Sequence, residues 1–266
     1  MPMDVQRALN LGQFVYAAEN PASTNPLKYA LPFGFQLVQV IYGNDLATDV
    51  NQIKDVVPFG FIAKAPDPAN DFVAAIRGTA SIWEWIQDAR FLRVTCPCAN
   101  GAGESEDGFS DVYRSLVIAS DGSAPRVVDV LRTLLSSLPN ATLAITGHSL
   151  GAALAKLLAL EVVESGAFDK PEVITFAGPL VGDTQFARTY GTEVPNTWRI
   201  ANVMDLVPKM PPPVWGYDHV DQLFSLNSFL KVKMEPACCH HLTSYLYLLG
   251  QLSPGGNFAL DANCKP

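Results

Sequence analysis

The chain has 266 residues, 48% of them hydrophobic and 17% charged, with a net charge of −8 at pH 7. That length fits one α/β domain with a large core or two small domains, and the composition excludes a disordered chain. Lys and Arg are scattered singly with no basic run, which argues against nucleic acid and anionic membranes as partners, and no apolar run approaches the roughly 20 residues of a bilayer span.

The opening stretch "MPMDVQRALN" has no charged region followed by an apolar one. The expectation is a cytosolic protein, or a secreted one whose leader is not part of this sequence. Residues 4–18 predict an amphipathic helix with Asp4 near its start. Residues 33–43 and 58–65 read as strands, and 71–78 as a buried strand ending at Gly78. A short helix is expected over 81–93, a Gly- and Cys-rich loop over 95–108, and helices over 109–120 and 125–137. Strands at 141–147, 172–178 and 197–203 then alternate with helices at 150–165 and 183–190. Such alternation implies a mostly parallel sheet covered on both faces. Residues 208–220 form a Pro-rich connection that no helix could traverse, and 242–250 read as a final helix. With no repeat at a fixed period and no low-complexity linker, one domain over 1–266 is expected.

The most informative stretch is "LAITGHSLGAALAKLLAL", residues 143–160. Strand formers lead into Gly147-His148-Ser149-Leu150-Gly151, and Ala- and Leu-rich helix formers follow. This is G-x-S-x-G in a strand–turn–helix context, where a sharp turn lifts the serine hydroxyl out of the sheet's carboxyl edge. Glycine at both flanks relieves crowding against strand and helix. Alone, the motif could be an ordinary βα turn, so a base, an acid and an oxyanion hole must be found.

There are four histidines. His148 sits inside the turn and cannot fold back onto its neighbour, and His219 reads as structural. The order nucleophile, acid, histidine of an α/β-hydrolase favours the pair His240 and His241. Asp205 follows an apolar strand and is the best acid, whereas Asp183 reads as a helix start. Asp169, Asp218 and Asp221 lie in loops. Candidate oxyanion donors are the Leu150 N–H and, after the 71–78 strand, the N–H and hydroxyl of Thr79. Taken alone, "RGT" reads better as a plain strand end.

Four blocks now resemble the class 3 lipases, the family of fungal triacylglycerol lipases and their bacterial and plant relatives. They are "AIRGTASIWEWIQD" (75–88), "ITGHSLGAALA" (145–155), "TFAGPLVGD" (175–183) and "RIANVMDLVPKMPP" (199–212), with a weaker fifth in "CHHLTSYLYLL" (239–249). Together they span about two-thirds of the chain. The resemblance implies an α/β-hydrolase fold with a helical lid and ester hydrolysis without metal or cofactor. It implies Ser149 as nucleophile, Asp205 as the acid, and Thr79 with Leu150 as the oxyanion hole. Tyr245-Leu246, five residues on, selects His240 as base over His241. Leu180 stands where the family often has a basic residue, and the 94–108 segment matches no family pattern.

By the same resemblance 80–91 is a lid, with Ile82, Trp85 and Ile86 on one face and Trp83 elsewhere. Periodicity alone would equally allow a core helix. Val207 and Trp215, in the Pro-rich stretch, are expected to line an apolar substrate pocket. The partner implied is an ester or lipid, met at a lipid–water interface when the lid opens. Phospholipase A1 or feruloyl-type esterase activity would use the same groups. A different class of reading is a metal-binding module of Cys96, Cys98, Cys238, Cys239, His240 and His241, but adjacent C-C-H-H lacks the spacing of a zinc site. Five cysteines cannot all pair within one chain, so one or two disulfides are expected. Oligomeric state is not legible in the sequence.

Overall fold

A computed structural model of the chain describes residues 2–21, 29–44, 56–79, 82–83, 86, 91–118, 124–220 and 222–266. In chain order these form α1 (Val5–Glu19), β1 (Gln36–Asn44), β2 (Val56–Lys64), β3 (Asp71–Ile76), β4 (Arg93–Thr95), β5 (Glu104–Glu106) and α2 (Asp107–Ser115). Next come β6 (Val117–Ile118), α3 (Val127–Leu135), β7 (Thr142–His148), α4 (Leu150–Glu164), β8 (Glu172–Phe176), β9 (Gly182–Asp183) and α5 (Thr184–Glu193). The chain closes with β10 (Thr197–Asn202), β11 (Tyr217–Asp218), β12 (Gln222–Leu226), α6 (Pro236–His240) and α7 (Leu242–Gly250).

Among the described residues the main sheet has the order β12-β10-β8-β7-β3-β2-β1-β6. Strands β3, β7, β8, β10 and β12 pair in parallel, while β2, β1 and β6 add an antiparallel flank. Residue alternation splits the core into two layers. Phe59, Ile62, Leu143 and Ile145 face α2, α3 and α4. Phe61, Ala63, Ala144 and Ile174 face α1 and α7. Both faces of the parallel strands are thus covered, which is why they read as near-continuous apolar runs. Helix α4 is buried on every side from Leu150 to Val162, as its Ala–Leu composition requires. No helix among the described residues is long and apolar enough to cross a membrane.

The expected elements and the observed ones differ at three places. The loop read over 95–108 contains β5, which joins β4, β9 and β11 in a small second sheet. Single strands of two or three residues carry too little periodicity to be read locally. The helix read over 109–120 begins at Asp107, where the Glu106 carboxylate accepts the Phe109 N–H at 2.8 Å. It stops at Ser115, because Val117 and Ile118 pair with Tyr42 and Ile41 instead. Strand β12 and helix α6 lie between the Pro-rich connection and the final helix, where no element was expected. Most of the helix expected over 81–93 lies outside the described residues. Asp4 and Asp183 cap their helices as expected, accepting from Arg7 N–H at 2.9 Å and Phe186 N–H at 2.7 Å.

Candidate active site

The parallel strands end together at one edge, and the candidate site is built there. Strand β7 runs into Ser149, whose backbone sits at φ 58° and ψ −124°. A non-glycine residue holds this conformation only when its surroundings enforce it. The two glycines supply the room. A Cβ on Gly147 would lie 2.2 Å from the Gly151 carbonyl oxygen, and one on Gly151 would lie 2.3 Å from that of Ile76. Leu150 opens α4, so its N–H is among those left without a helical partner and points toward the serine's end of the helix.

The acid and the base arrive from two other segments. Asp205 lies in the turn after β10 and is fully buried. Its Oδ1 accepts the Val207 N–H at 3.0 Å, and its Oδ2 accepts the Tyr245 hydroxyl at 2.7 Å. His240 ends the five-residue helix α6. Its Nδ1 lies 2.8 Å from Asp205 Oδ2, and its Nε2 lies 2.9 Å from Ser149 Oγ. A carboxylate only accepts, so Nδ1 carries the proton and Nε2 presents a lone pair to the serine. Burial pushes the His240 pKa down, and the Asp205 charge only partly restores it. The imidazole is therefore held neutral and ready to accept a proton.

A second imidazole–carboxylate pair lies beside the first. His148 Nδ1 is 2.8 Å from Glu19 Oε1, and its Nε2 is 2.8 Å from the His240 carbonyl oxygen. The His148 and His240 rings lie 4.8 Å apart. Burial alone would lower the His148 pKa, but the Glu19 charge and hydrogen bond raise it overall. Burial likewise opposes ionisation of Glu19, and His148 outweighs it to lower the Glu19 pKa. Sequence reasoning discarded His148 as a base but missed its partner, which sits 129 positions away. It also used Tyr245 only to choose between histidines, not as a donor to Asp205.

His241 is exposed and caps α7, its Nδ1 accepting from the Thr243 N–H at 3.3 Å. A cavity of about 380 Å³ next to His240 is lined by Thr79, Ile82, Trp83, Glu19, Arg77 and His241 among others. Trp83 meets the His240 ring edge-on at 5.7 Å. Ile82 is buried and Ile86 half-buried against the core, while Trp85 lies outside the described residues. The Gly78–Thr79 turn passes against the serine, since a Cβ on Gly78 would be 3.2 Å from Ser149 Cβ. Val207 is fully buried and serves Asp205 through its N–H, and Trp215 is half-exposed beside Phe91 at 5.3 Å. Neither borders the cavity next to His240.

Cysteines 96 and 98 form one disulfide, and 238 and 264 form another. Cys239 stays free and buried. Three of the thiols weighed as metal ligands are thus oxidised, and His240 is committed to Asp205 and Ser149. His219 is structural in its contacts, with Nε2 2.8 Å from the Pro208 carbonyl oxygen.

Comparison with known proteins matches this architecture. The chain is 28% identical over 235 residues to phospholipase A1-Igamma2, chloroplastic, of Arabidopsis thaliana, covering 72% of this chain and 44% of that protein. It is 31% identical over 156 residues to the secreted mono- and diacylglycerol lipase A of Penicillium cyclopium, covering 59% of this chain and 48% of that protein. The chain therefore spans about half the length of these relatives. The crystal structure of a mutant form of MDLA from Penicillium cyclopium superposes with a TM-score of 0.63 at 22% identity, over 84% of this chain and 79% of the other. The native Rhizomucor miehei lipase propeptide complex gives a TM-score of 0.62 at 18% identity, over 97% and 82% of the two chains. These structural likenesses identify the α/β-hydrolase fold. The lipase (class 3) family model matches residues 73–215, more than half of the chain, and on that match this protein belongs to the class 3 lipase family.

Proposed function

We propose that this single-domain chain is a serine hydrolase of carboxylic esters acting on acylglycerols. The observation that carries this reading is the continuous relay from Ser149 Oγ through His240 to Asp205, at 2.9 and 2.8 Å, on a strained nucleophile turn. In the proposed cycle Ser149 Oγ attacks the ester carbonyl carbon while His240 Nε2 takes its proton. Asp205 stabilises the imidazolium so formed. The Leu150 N–H and Thr79 donate to the tetrahedral oxyanion. Collapse breaks the ester C–O bond, and His240 returns its proton to the departing alcohol. Water, deprotonated by His240, then attacks the acyl-enzyme and releases the acid and free Ser149. Every proton in this scheme moves through groups of this chain.

The substrate is met at a lipid–water interface in this reading. Its support is the loop after β10, which leaves Leu206, Val214 and Trp215 exposed at the site's edge of the sheet. A second reading, phospholipase A1, is favoured by the similarity to the Arabidopsis thaliana protein. One experiment tests the set. Hydrolysis of p-nitrophenyl esters of graded chain length, monoacylglycerol and phosphatidylcholine is followed with product profiling, for wild type and Ser149→Ala. Activity should fall by several orders of magnitude in the variant, and a fluorophosphonate should label only wild type. Near-normal turnover by Ser149→Ala would remove the nucleophile assignment.

A further inference from the structure

Asp205 and His240 sit on different segments, and their separation must be set by something between them. Asn202, only 1% exposed, spans that gap. Its Nδ2 donates to the Cys239 carbonyl oxygen and to Ser228 Oγ, both at 2.9 Å. Its Oδ1 accepts from the Ser228 N–H at 3.1 Å and the Met204 N–H at 3.3 Å. The amide thus uses both donors and both acceptor positions. The Asn202 backbone joins in. Its N–H donates to the Tyr245 hydroxyl oxygen at 3.0 Å, and its carbonyl accepts the Asp205 N–H at 3.0 Å.

The other end of the gap is a helix end. The last carbonyls of α6 have no intrahelical donors, as in any helix. Here the two belonging to Cys239 and His240 are taken by side chains from elsewhere in the site. Asn202, on the strand leading to the acid, takes Cys239, and His148, on the nucleophile turn, takes His240 at 2.8 Å. The base's short helix is therefore tied by one side chain to the acid's segment and by another to the nucleophile's. A buried amide with every group paired is a rigid link, because shifting either segment leaves a buried polar group without a partner.

We propose that Asn202 is a positioning residue for catalysis: its amide holds the histidine helix against the aspartate turn so that one imidazole bridges Asp205 and Ser149. This rests on the triad reading above. It does not touch substrate and acts only through the placement of His240. A shift of the imidazole by about 1 Å is enough to cost on the order of 100-fold in rate.

The test compares wild type, Asn202→Leu, Asn202→Asp and Ser228→Ala on a soluble ester. The rate is expressed per site titrated by a fluorophosphonate, so misfolded protein does not count. Asn202→Leu fills the space without hydrogen bonds, and Asn202→Asp keeps both acceptor bonds but loses both donors. In each, kcat per titrated site should fall about 10- to 100-fold with KM little changed. The downfield proton resonance of the His240 Nδ1–H···Asp205 bond should broaden or vanish. Ser228→Ala leaves the Cys239 link intact and should keep most of kcat and the resonance. If Asn202→Leu does not fold, Asn202→Asp decides. A folded Asn202→Asp with wild-type kcat and an unchanged resonance would overturn the inference, as would a purely thermal effect in both variants. Failure of the fluorophosphonate to label wild-type Ser149 would instead overturn the triad reading.

Discussion

Lys156 provides a quantitative test of the fold that carries the site. It lies on α4, the helix that begins beside the nucleophile, and is only 1% exposed. Its Nζ donates to the Pro179 carbonyl oxygen at 3.3 Å. Burial, with the Arg199 cation adding to it, pushes its pKa down from 10.5 to about 7. In the unfolded chain the lysine keeps its proton up to the ordinary value. Between pH 7 and 10.5 the unfolded state thus binds more protons, and stability rises with pH across that window. At 1.36 kcal/mol per pKa unit, a lysine at this position costs about 4–5 kcal/mol of folding free energy at neutral pH and little at pH 10. Lys156→Met keeps the stem and removes the charge, but leaves the Pro179 carbonyl without that donor, a loss of about 1 kcal/mol. The variant should be more stable by about 2–4 kcal/mol at pH 7 and nearly equal to wild type at pH 10. For a chain of this size the gain at pH 7 is about 5–10 °C in Tm. Urea unfolding of both proteins at the two pH values, with disulfides oxidised, measures it. A difference that does not change with pH, or a destabilised variant at both, would refute the argument by showing a lysine that stays charged and well partnered in the fold.

Three further outcomes follow from the site. His240→Ala should be folded and almost inactive, whereas His241→Ala should keep a substantial part of kcat and lose about 0.5–2 kcal/mol of stability as an α7 cap; kinetics with circular dichroism on both variants decides, and an inactive His241 variant would reverse the assignment. Because burial lowers the His240 pKa and protonation removes its lone pair, activity should be lost as pH falls through a value below the ordinary imidazole pKa of about 6.5. A kcat/KM profile on a soluble ester whose acid limb has its midpoint above that value would contradict this. Tyr245→Phe removes a donor from Asp205 and an acceptor from the Asn202 N–H, both buried. It should cost about 1–3 kcal/mol of stability and lower kcat, read by thermal melts and initial rates; an unchanged Tm would mean that neither bond matters.

What the sequence determined by itself is local. The glycines at 147 and 151 and the change from strand formers to helix formers between them announce the turn at Ser149, because the close approaches that demand glycine are made by residues adjacent in sequence or by the strand next door. The apolar runs announced a parallel sheet because both faces of those strands had to be covered. Chain order and a family register singled out Asp205 and His240 among few alternatives. Tertiary structure alone decided which atoms meet. The Glu19 carboxylate reaches His148 across 129 positions, and Tyr245 reaches Asp205 across 40. Asn202 joins the acid's strand to the base's helix across 37. None of these partners has a spacing that local conformation dictates. Each is selected because a polar group buried at the end of a strand or helix must find a hydrogen-bond partner, and only the packed fold determines which side chain is within reach.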